Sequence, residues 1–135
     1  MSGDANIATI GRFYEAFGRG DMTAILNGLT DDVDWAAETS STAAPWYGVR
    51  HGKDQVAAFF TEFGAAMEVA EFTPLAVTGN DAEVLAVVGF RATARGTGKT
   101  VAMNLHHYFR FRDGKVAYYR GSEDTAQTEA ALARP

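Results

Sequence analysis

The chain has 135 residues, which suits one domain over residues 1–135, and its lack of cysteine excludes disulfide bonds, thiolate nucleophiles and cysteine-ligated metals. Its net charge of −5 argues against nucleic acid or an anionic membrane as a partner, because both require a basic surface. No stretch approaches the ~20 apolar residues of a membrane-spanning helix, and residues 1–20 lack a signal-peptide pattern, so we expect a cytoplasmic protein.

The first part of the chain predicts two helices and a strand. Apolar residues at helical spacing predict a helix over about residues 4–18. Asp21 is a suitable N-cap for a short helix that follows, because its side chain can accept a backbone N–H. Residues 33–37 alternate in the manner of a strand, and Trp35 should lie on the face turned towards the interior.

A loop follows this strand. Residues 38–50 are mostly small or polar and include Pro45 and Gly48. Trp46 and Tyr47 near the end of the loop are too apolar to be left in water. We expect them to form a lid over a pocket or, alternatively, a dimer contact.

The second half of the chain predicts one helix and then a run of strands. Helical spacing returns over residues 52–67, and strands are predicted over residues 68–77, 83–95, 100–112 and 115–122, before a short closing helix or ordered tail over 125–132. Helices followed by strands indicate an α+β fold. Strands of this length must twist and curl, so we expect a curved antiparallel sheet with three helices closing its concave face over a pocket.

The stretch 104–120 predicts two long strands joined by a two-residue turn. Asp-Gly at 113–114 is a strong hairpin signal between alternating apolar runs, because both turn positions need a positive φ. Counting back from such a turn places His107 opposite Arg120 on one mostly apolar face. The same count places Phe109 and Tyr118 on that inner face.

Three residues near this hairpin are candidates for chemistry. His107 is either hydrogen-bonded within the sheet or a general acid/base, since an ordinary histidine pKa suits proton transfer at neutral pH. Arg120 needs a carboxylate, because an unpaired buried charge is costly, and the carboxylate belongs either to Asp34, Glu123 or Asp124 or to a ligand. Asp124 is the third catalytic candidate and is equally suited to cap the last helix.

A larger set of residues is predicted to line the pocket and bind the ligand: Tyr14, Trp35, Trp46, Tyr47, Arg91, Phe109 and Tyr118. The direction of Arg91 depends on Gly89, which can bend its strand. Strand alternation places His106 on the outer face, so the two adjacent histidines do not form a metal pair. We therefore expect neither a metal nor a cofactor.

Several stretches carry a family resemblance: Gly20-Asp21, 31–35, 47–53 with Val56 and Phe59-Phe60, 109–116, and 119–120 with 124–126. Together they resemble the nuclear transport factor 2-like superfamily, in its SnoaL-like and ketosteroid isomerase-like branch. The resemblance implies a cone-shaped NTF2-like fold and a homodimer formed through the outer face of the sheet. The superfamily includes isomerases, polyketide cyclases, dehydratases, epoxide hydrolases and non-catalytic binders, so the fold alone does not fix an activity.

The residues of the isomerase site are mostly missing. That chemistry needs a carboxylate base and two donors for an oxyanion. The motifs place one donor at Phe13, the base at Ala37 and the other donor at His107, and only His107 is polar. Tyr14 adjoins the first position, but a one-residue offset on a strand reverses the side chain, which disfavours it as a substitute. Some SnoaL-like cyclases use an Asp–His pair, for which Gly121 stands where the aspartate is expected.

These observations leave three functions open. The first is a cofactor-free lyase, isomerase or hydrolase that acts on a small apolar carbonyl or hydroxyl compound by His-centred acid/base catalysis. The second is a non-catalytic protein that binds a small ligand in the same pocket. The third is a dimeric interaction module that uses the aromatic and polar residues of the outer sheet face.

Overall fold

A computed structural model describes residues 3–134. In chain order it contains helices α1 (Gly3–Arg19) and α2 (Met22–Asn27), strands β1 (Leu29–Ala37) and β2 (Arg50–His51), helix α3 (Gly52–Ala66), strands β3 (Met67–Gly79), β4 (Glu83–Ala94), β5 (Thr100–Arg112) and β6 (Lys115–Ser122), and helix α4 (Thr125–Leu132). The predicted elements are present, with their ends displaced by a few residues. The short strand β2 is an addition.

The strands form one curved sheet in the order β2-β1-β6-β5-β4-β3. Neighbouring strands run antiparallel except β1 and β6, which pair in parallel. Between β1 and β6 the chain forms β2, α3 and the strands β3, β4 and β5, and β6 then returns beside β1 in the same direction. The predicted α+β fold with a curved sheet is confirmed, but the sheet is mixed rather than wholly antiparallel.

Helix α1 lies on the inner face of the sheet because one stripe of its surface is apolar. Ile10, Phe13 and Ala16 on this stripe are buried, at the spacing of successive helical turns. They share a core with Val84 of β4 and Phe109 of β5. Burying an aliphatic or phenyl side chain of this size contributes roughly 1.5–3 kcal/mol, so this stripe accounts for the docking of the helix.

The other helices complete the inner layer. Asp21 caps α2 as predicted, since its carboxylate accepts a hydrogen bond from the backbone N–H of Ala24 at 3.1 Å. Helix α3 covers β1, where Phe59 and Phe60 contact Trp35 at ring separations of 5.8 and 5.6 Å. Helices and sheet thus enclose an interior lined largely by aromatic rings.

The hairpin turn between β5 and β6 forms as the sequence predicts. Both turn residues, at 113–114, have positive φ values, of 53° and 78°. Beyond the turn Arg112 pairs with Lys115, and Phe111 then pairs with Val116. The next pair is Arg110 with Tyr118, so the register shifts by one residue at this point.

The shift is a β-bulge that leaves Ala117 as an extra residue on β6. Beyond the bulge His107 pairs with Gly121, and Arg120 pairs with Tyr108. The predicted pairing of His107 with Arg120 is therefore wrong. Because side chains alternate along a strand, the one-residue offset moves every later residue of β6 to the opposite face of the sheet.

The outer edge of the sheet accommodates Pro74. It lies in β3, the edge strand, next to a register shift between Pro74 and Ala76. A proline is tolerated there because it has no N–H to donate to a neighbouring strand. No helix within residues 3–134 is long and apolar enough to cross a membrane.

Candidate functional site

A cavity of about 110 Å³ lies between the helices and the concave face of the sheet. Its walls are mostly aromatic, and include Phe17, Trp35, Trp46, Phe60, Phe72 and Phe109. Trp35 of β1 and Trp46 of the loop between β1 and β2 are only 4% and 3% exposed. The indole ring of Trp46 therefore covers the cavity. An apolar cavity with few polar groups is the usual form of a small-molecule site.

The first polar group in the wall is a tyrosine–histidine pair. The hydroxyl of Tyr14, from α1, lies 2.8 Å from Nδ1 of His107, from β5. Burial lowers the pKa of His107 to about 4, with a smaller contribution from the neighbouring His106, and burial also raises the pKa of Tyr14. Both side chains are therefore uncharged at neutral pH.

The direction of this hydrogen bond follows from the chemistry of its two groups. An imidazole nitrogen is a better acceptor than a phenol oxygen, so we assign Tyr14 as the donor and Nδ1 of His107 as the acceptor. The ring hydrogen of the neutral imidazole then lies on Nε2. Nε2 has no hydrogen-bond partner within residues 3–134, so it is free to act as a donor.

On the sequence alone Tyr14 is disfavoured as a donor because a one-residue offset reverses a side chain, but that rule holds for strands and Tyr14 lies on α1. A one-residue step reverses a side chain on a strand, but on a helix it rotates the side chain by only about 100°. Phe13 and Tyr14 consequently both reach the cavity. The family resemblance indicates Phe13 as the donor position. Since that position lies on a helix, its neighbour Tyr14 can reach the same cavity, and this is the signal that identifies Tyr14.

Tyr119 is a second tyrosine in the cavity wall and is not among the predicted site residues. Its ring stacks on Trp35 with centroids 4.0 Å apart, and it lies 5.4 Å from the ring of His107. Its hydroxyl has no hydrogen-bond partner in the described part of the chain. Burial raises the pKa of Tyr119 well above its usual value, so the phenol keeps its proton.

A carboxylate lies at another part of the wall. Glu123 accepts hydrogen bonds at Oε2 from the hydroxyls of Tyr47, at 2.9 Å, and Thr128. Asp124, the catalytic candidate next to it, is exposed and accepts a hydrogen bond from Gln127 of α4 at 3.0 Å. The structure therefore places Glu123 rather than Asp124 at the cavity. Tyr47, predicted to bind the ligand, holds this carboxylate through its hydroxyl but does not itself line the cavity.

Arg120 lies on the outer face of the sheet, which corrects the prediction that it sits beside His107. Its guanidinium is 2.9 Å from the carboxylate of Asp34 and 3.4 Å from that of Glu38. The same group lies over the ring of Tyr118, 4.3 Å from its centroid. The bulge in β6 is the physical reason, and Arg120 has the structural ion pair that a partly buried charge requires.

Two predicted pocket residues also face outwards. Tyr118 lies between two guanidinium groups, with Arg110 at 4.4 Å and Arg120 at 4.3 Å from its ring centroid. Arg91 is exposed and forms an ion pair with Glu71 at 3.4 Å. The pairing of β4 with β5 is continuous, so no bend turns Arg91 inwards, and neither residue reaches the cavity.

His106 lies on the outer face and is exposed, in agreement with strand alternation. Within residues 3–134 no group of three or more histidine, aspartate or glutamate side chains is arranged to hold a metal ion.

A family model of the SnoaL-like domain matches residues 10–119. The chain belongs to the SnoaL-like family. This assignment places it in the nuclear transport factor 2-like superfamily, whose fold suits a small-molecule pocket. No curated protein matches the sequence.

Solved structures share the fold over almost the whole chain. A nuclear transport factor 2-like protein of unknown function from Burkholderia pseudomallei K96243 is 25% identical, with a TM-score of 0.88 over 96% of this chain and 98% of that one. One from Burkholderia xenovorans LB400 is 24% identical, with a TM-score of 0.87 over 98% and 99%. TerC, co-crystallised with polyporic acid, is 22% identical, with a TM-score of 0.82 over 95% and 98%.

Proposed function

We propose that this SnoaL-like protein binds a small, mostly apolar compound with a carbonyl or hydroxyl group and that His107 acts on the oxygen of that group. The observation that carries the proposal is the 2.8 Å contact of Tyr14 with His107 in the wall of an otherwise aromatic cavity. Buried polar groups are costly unless they have a partner. A hydrogen-bonded pair with one free ring N–H suits recognition of a ligand oxygen.

The volume of the cavity sets the size of the ligand. A buried apolar cavity of about 150 Å³ is large enough to bind benzene. The cavity here, at about 110 Å³, is smaller, so one ring is the upper limit of what it can hold without movement of its walls. A larger ligand requires movement of the loop that carries Trp46.

His107 serves this function best as a neutral donor. Its pKa of about 4 makes it a weak base at pH 7, and efficient general bases have a pKa close to the working pH. A neutral imidazole can nevertheless polarise a carbonyl through its N–H, because the donor needs no net charge. Tyr14 fixes the tautomer by holding Nδ1, which leaves Nε2–H as the hydrogen-bond donor for the ligand.

Fluorescence titration tests the role of His107. Trp35 and Trp46 line the cavity, so their emission should change when benzaldehyde or benzyl alcohol binds. We expect His107→Ala to weaken binding of these probes by about tenfold, the value of one to two hydrogen bonds. His106→Ala is the matched control, because His106 is exposed on the outer face. Equal affinities for wild type and His107→Ala would exclude the assignment.

A non-catalytic binding protein is the second candidate. It is favoured by the low pKa of His107 and by the position of Asp124 outside the cavity. Native mass spectrometry of the purified protein would identify a retained molecule. Its release unchanged after incubation supports the binding function, whereas conversion that is lost in His107→Ala supports catalysis.

We also propose that a second copy of the chain covers the outer face of the sheet. Leu85 on this face is 50% exposed, and it borders a groove of about 330 Å³ together with His106 and Tyr108. An exposed leucine beside aromatic residues is typical of an interface. Sedimentation equilibrium at micromolar concentration tests this proposal, and a monomer would contradict it.

A further inference from the structure

The hydroxyl of Tyr119 belongs to a buried side chain in the wall of the cavity. The side chain is only 7% exposed, and no hydrogen bond to its hydroxyl exists within residues 3–134. The hydroxyls of Tyr14 and Tyr47, by contrast, are hydrogen-bonded to His107 and Glu123. A buried phenol without a partner destabilises a protein, so its presence in the cavity wall needs a reason.

Gly121 makes the room that this hydroxyl occupies. Tyr119 and Gly121 lie two residues apart on β6 and so share the inner face of the sheet. A methyl group built on Gly121 would lie 2.1 Å from the hydroxyl oxygen of Tyr119 and 3.4 Å from Cδ2 of His107. The hydroxyl therefore lies over the backbone of Gly121, on the side of the imidazole where Cδ2 adjoins Nε2, whereas Tyr14 holds Nδ1.

We infer that Tyr119 is a ligand-binding residue whose hydroxyl donates a hydrogen bond to the same ligand oxygen as Nε2 of His107, and that the ligand is a neutral carbonyl compound. The inference rests on the proposed function of the cavity as a small-molecule site. A carbonyl oxygen has two lone pairs and can accept from both donors at once.

The charges and the hydrogen-bond donors of the cavity wall favour a neutral carbonyl compound over other ligands. Tyr119, His107 and Tyr14 are all uncharged at neutral pH, so this part of the wall offers no cation to a carboxylate or phosphate, whose burial would be costly. An alcohol would bring a hydrogen that needs an acceptor of its own. A ketone or aldehyde satisfies both of these donors and brings no hydrogen of its own that needs an acceptor.

The test compares Tyr119→Phe with Tyr118→Phe in the 135-residue chain. The first variant removes the cavity hydroxyl and keeps the ring that stacks on Trp35, and the second removes a hydroxyl on the opposite face of the same strand. Benzaldehyde, benzyl alcohol and toluene serve as probes of similar size. Affinity is measured by tryptophan fluorescence, and Tm is measured without ligand.

We expect Tyr119→Phe to weaken benzaldehyde binding about fivefold to tenfold, with toluene changed less than twofold, because only the carbonyl uses the hydroxyl. Without ligand the same variant should raise Tm by about 3 °C, because it removes the unpaired phenol. Tyr118→Phe should leave both measurements unchanged. Weaker ligand binding together with a higher Tm is the result expected for a residue that contributes to binding but lowers stability.

Other results overturn the inference. An equal loss of affinity for all three probes, or a lower Tm in Tyr119→Phe, would show that the hydroxyl supports the fold. If His107→Ala selectively weakens benzaldehyde binding and Tyr119→Phe does not, the role of Tyr119 is refuted and the proposed function stands. If wild type binds none of the probes, both are refuted.

Discussion

The burial of His107 predicts a specific loss of stability in acid. Its pKa is about 4 in the folded protein and 6.5 in a model compound, so between these values the unfolded chain binds a proton that the folded chain does not. Stability must then fall as pH decreases from about 6.5 to about 4, and it is retained above that window. At 1.36 kcal/mol per pH unit the loss approaches about 3 kcal/mol, a large part of the total of about 5–15 kcal/mol expected for a domain.

Urea denaturation between pH 4 and pH 7.5 measures this effect. The wild type and His107→Gln are compared at each pH, because the variant lacks the titrating group and every carboxylate is common to both proteins. We expect the difference between their free energies of unfolding to change by about 3 kcal/mol across the window. His106→Gln, on the exposed outer face, is the control. A difference that stays constant with pH would refute the burial of a neutral imidazole at this position.

Three further predictions concern residues around the cavity. Gly121→Ala should destabilise the protein by about 1–3 kcal/mol, because its methyl group would displace the hydroxyl of Tyr119; an unchanged Tm would contradict this. Arg120→Gln should destabilise by about 1–2 kcal/mol through loss of its partly buried ion pairs, with benzaldehyde affinity unchanged in a fluorescence titration; a large loss of affinity would place it at the site after all. Glu123→Gln should alter probe binding and Asp124→Asn should not, since only the first contacts the cavity; equal effects in calorimetry would argue against this arrangement.

Local chemistry determines much of this fold and is visible in the sequence. The positive φ values that Asp113-Gly114 adopts are a property of those two residues, and the apolar stripe of α1 has a period that only a helix satisfies. Such features depend on neighbours along the chain, so they can be read without the structure.

The bulge at Ala117 is different, because nothing in its local sequence requires it. The run Tyr118-Tyr119-Arg120 allows either tyrosine to face inwards. Contacts from a distant part of the chain favour Tyr119, since the arginine then meets Asp34 and the phenol ring stacks on Trp35. These tertiary contacts determine the register and with it half of the candidate site.

The extra residue in β6 also bears on how such a site can diversify. A strand has a repeat of two residues, so gain or loss of one residue between the hairpin turn and Tyr119 would exchange the set of side chains that meets a ligand with the set that meets solvent. The turn, the helices and the strand order need not change. A single codon inserted or deleted there is thus a short evolutionary path from one set of cavity-lining side chains to another within the same scaffold.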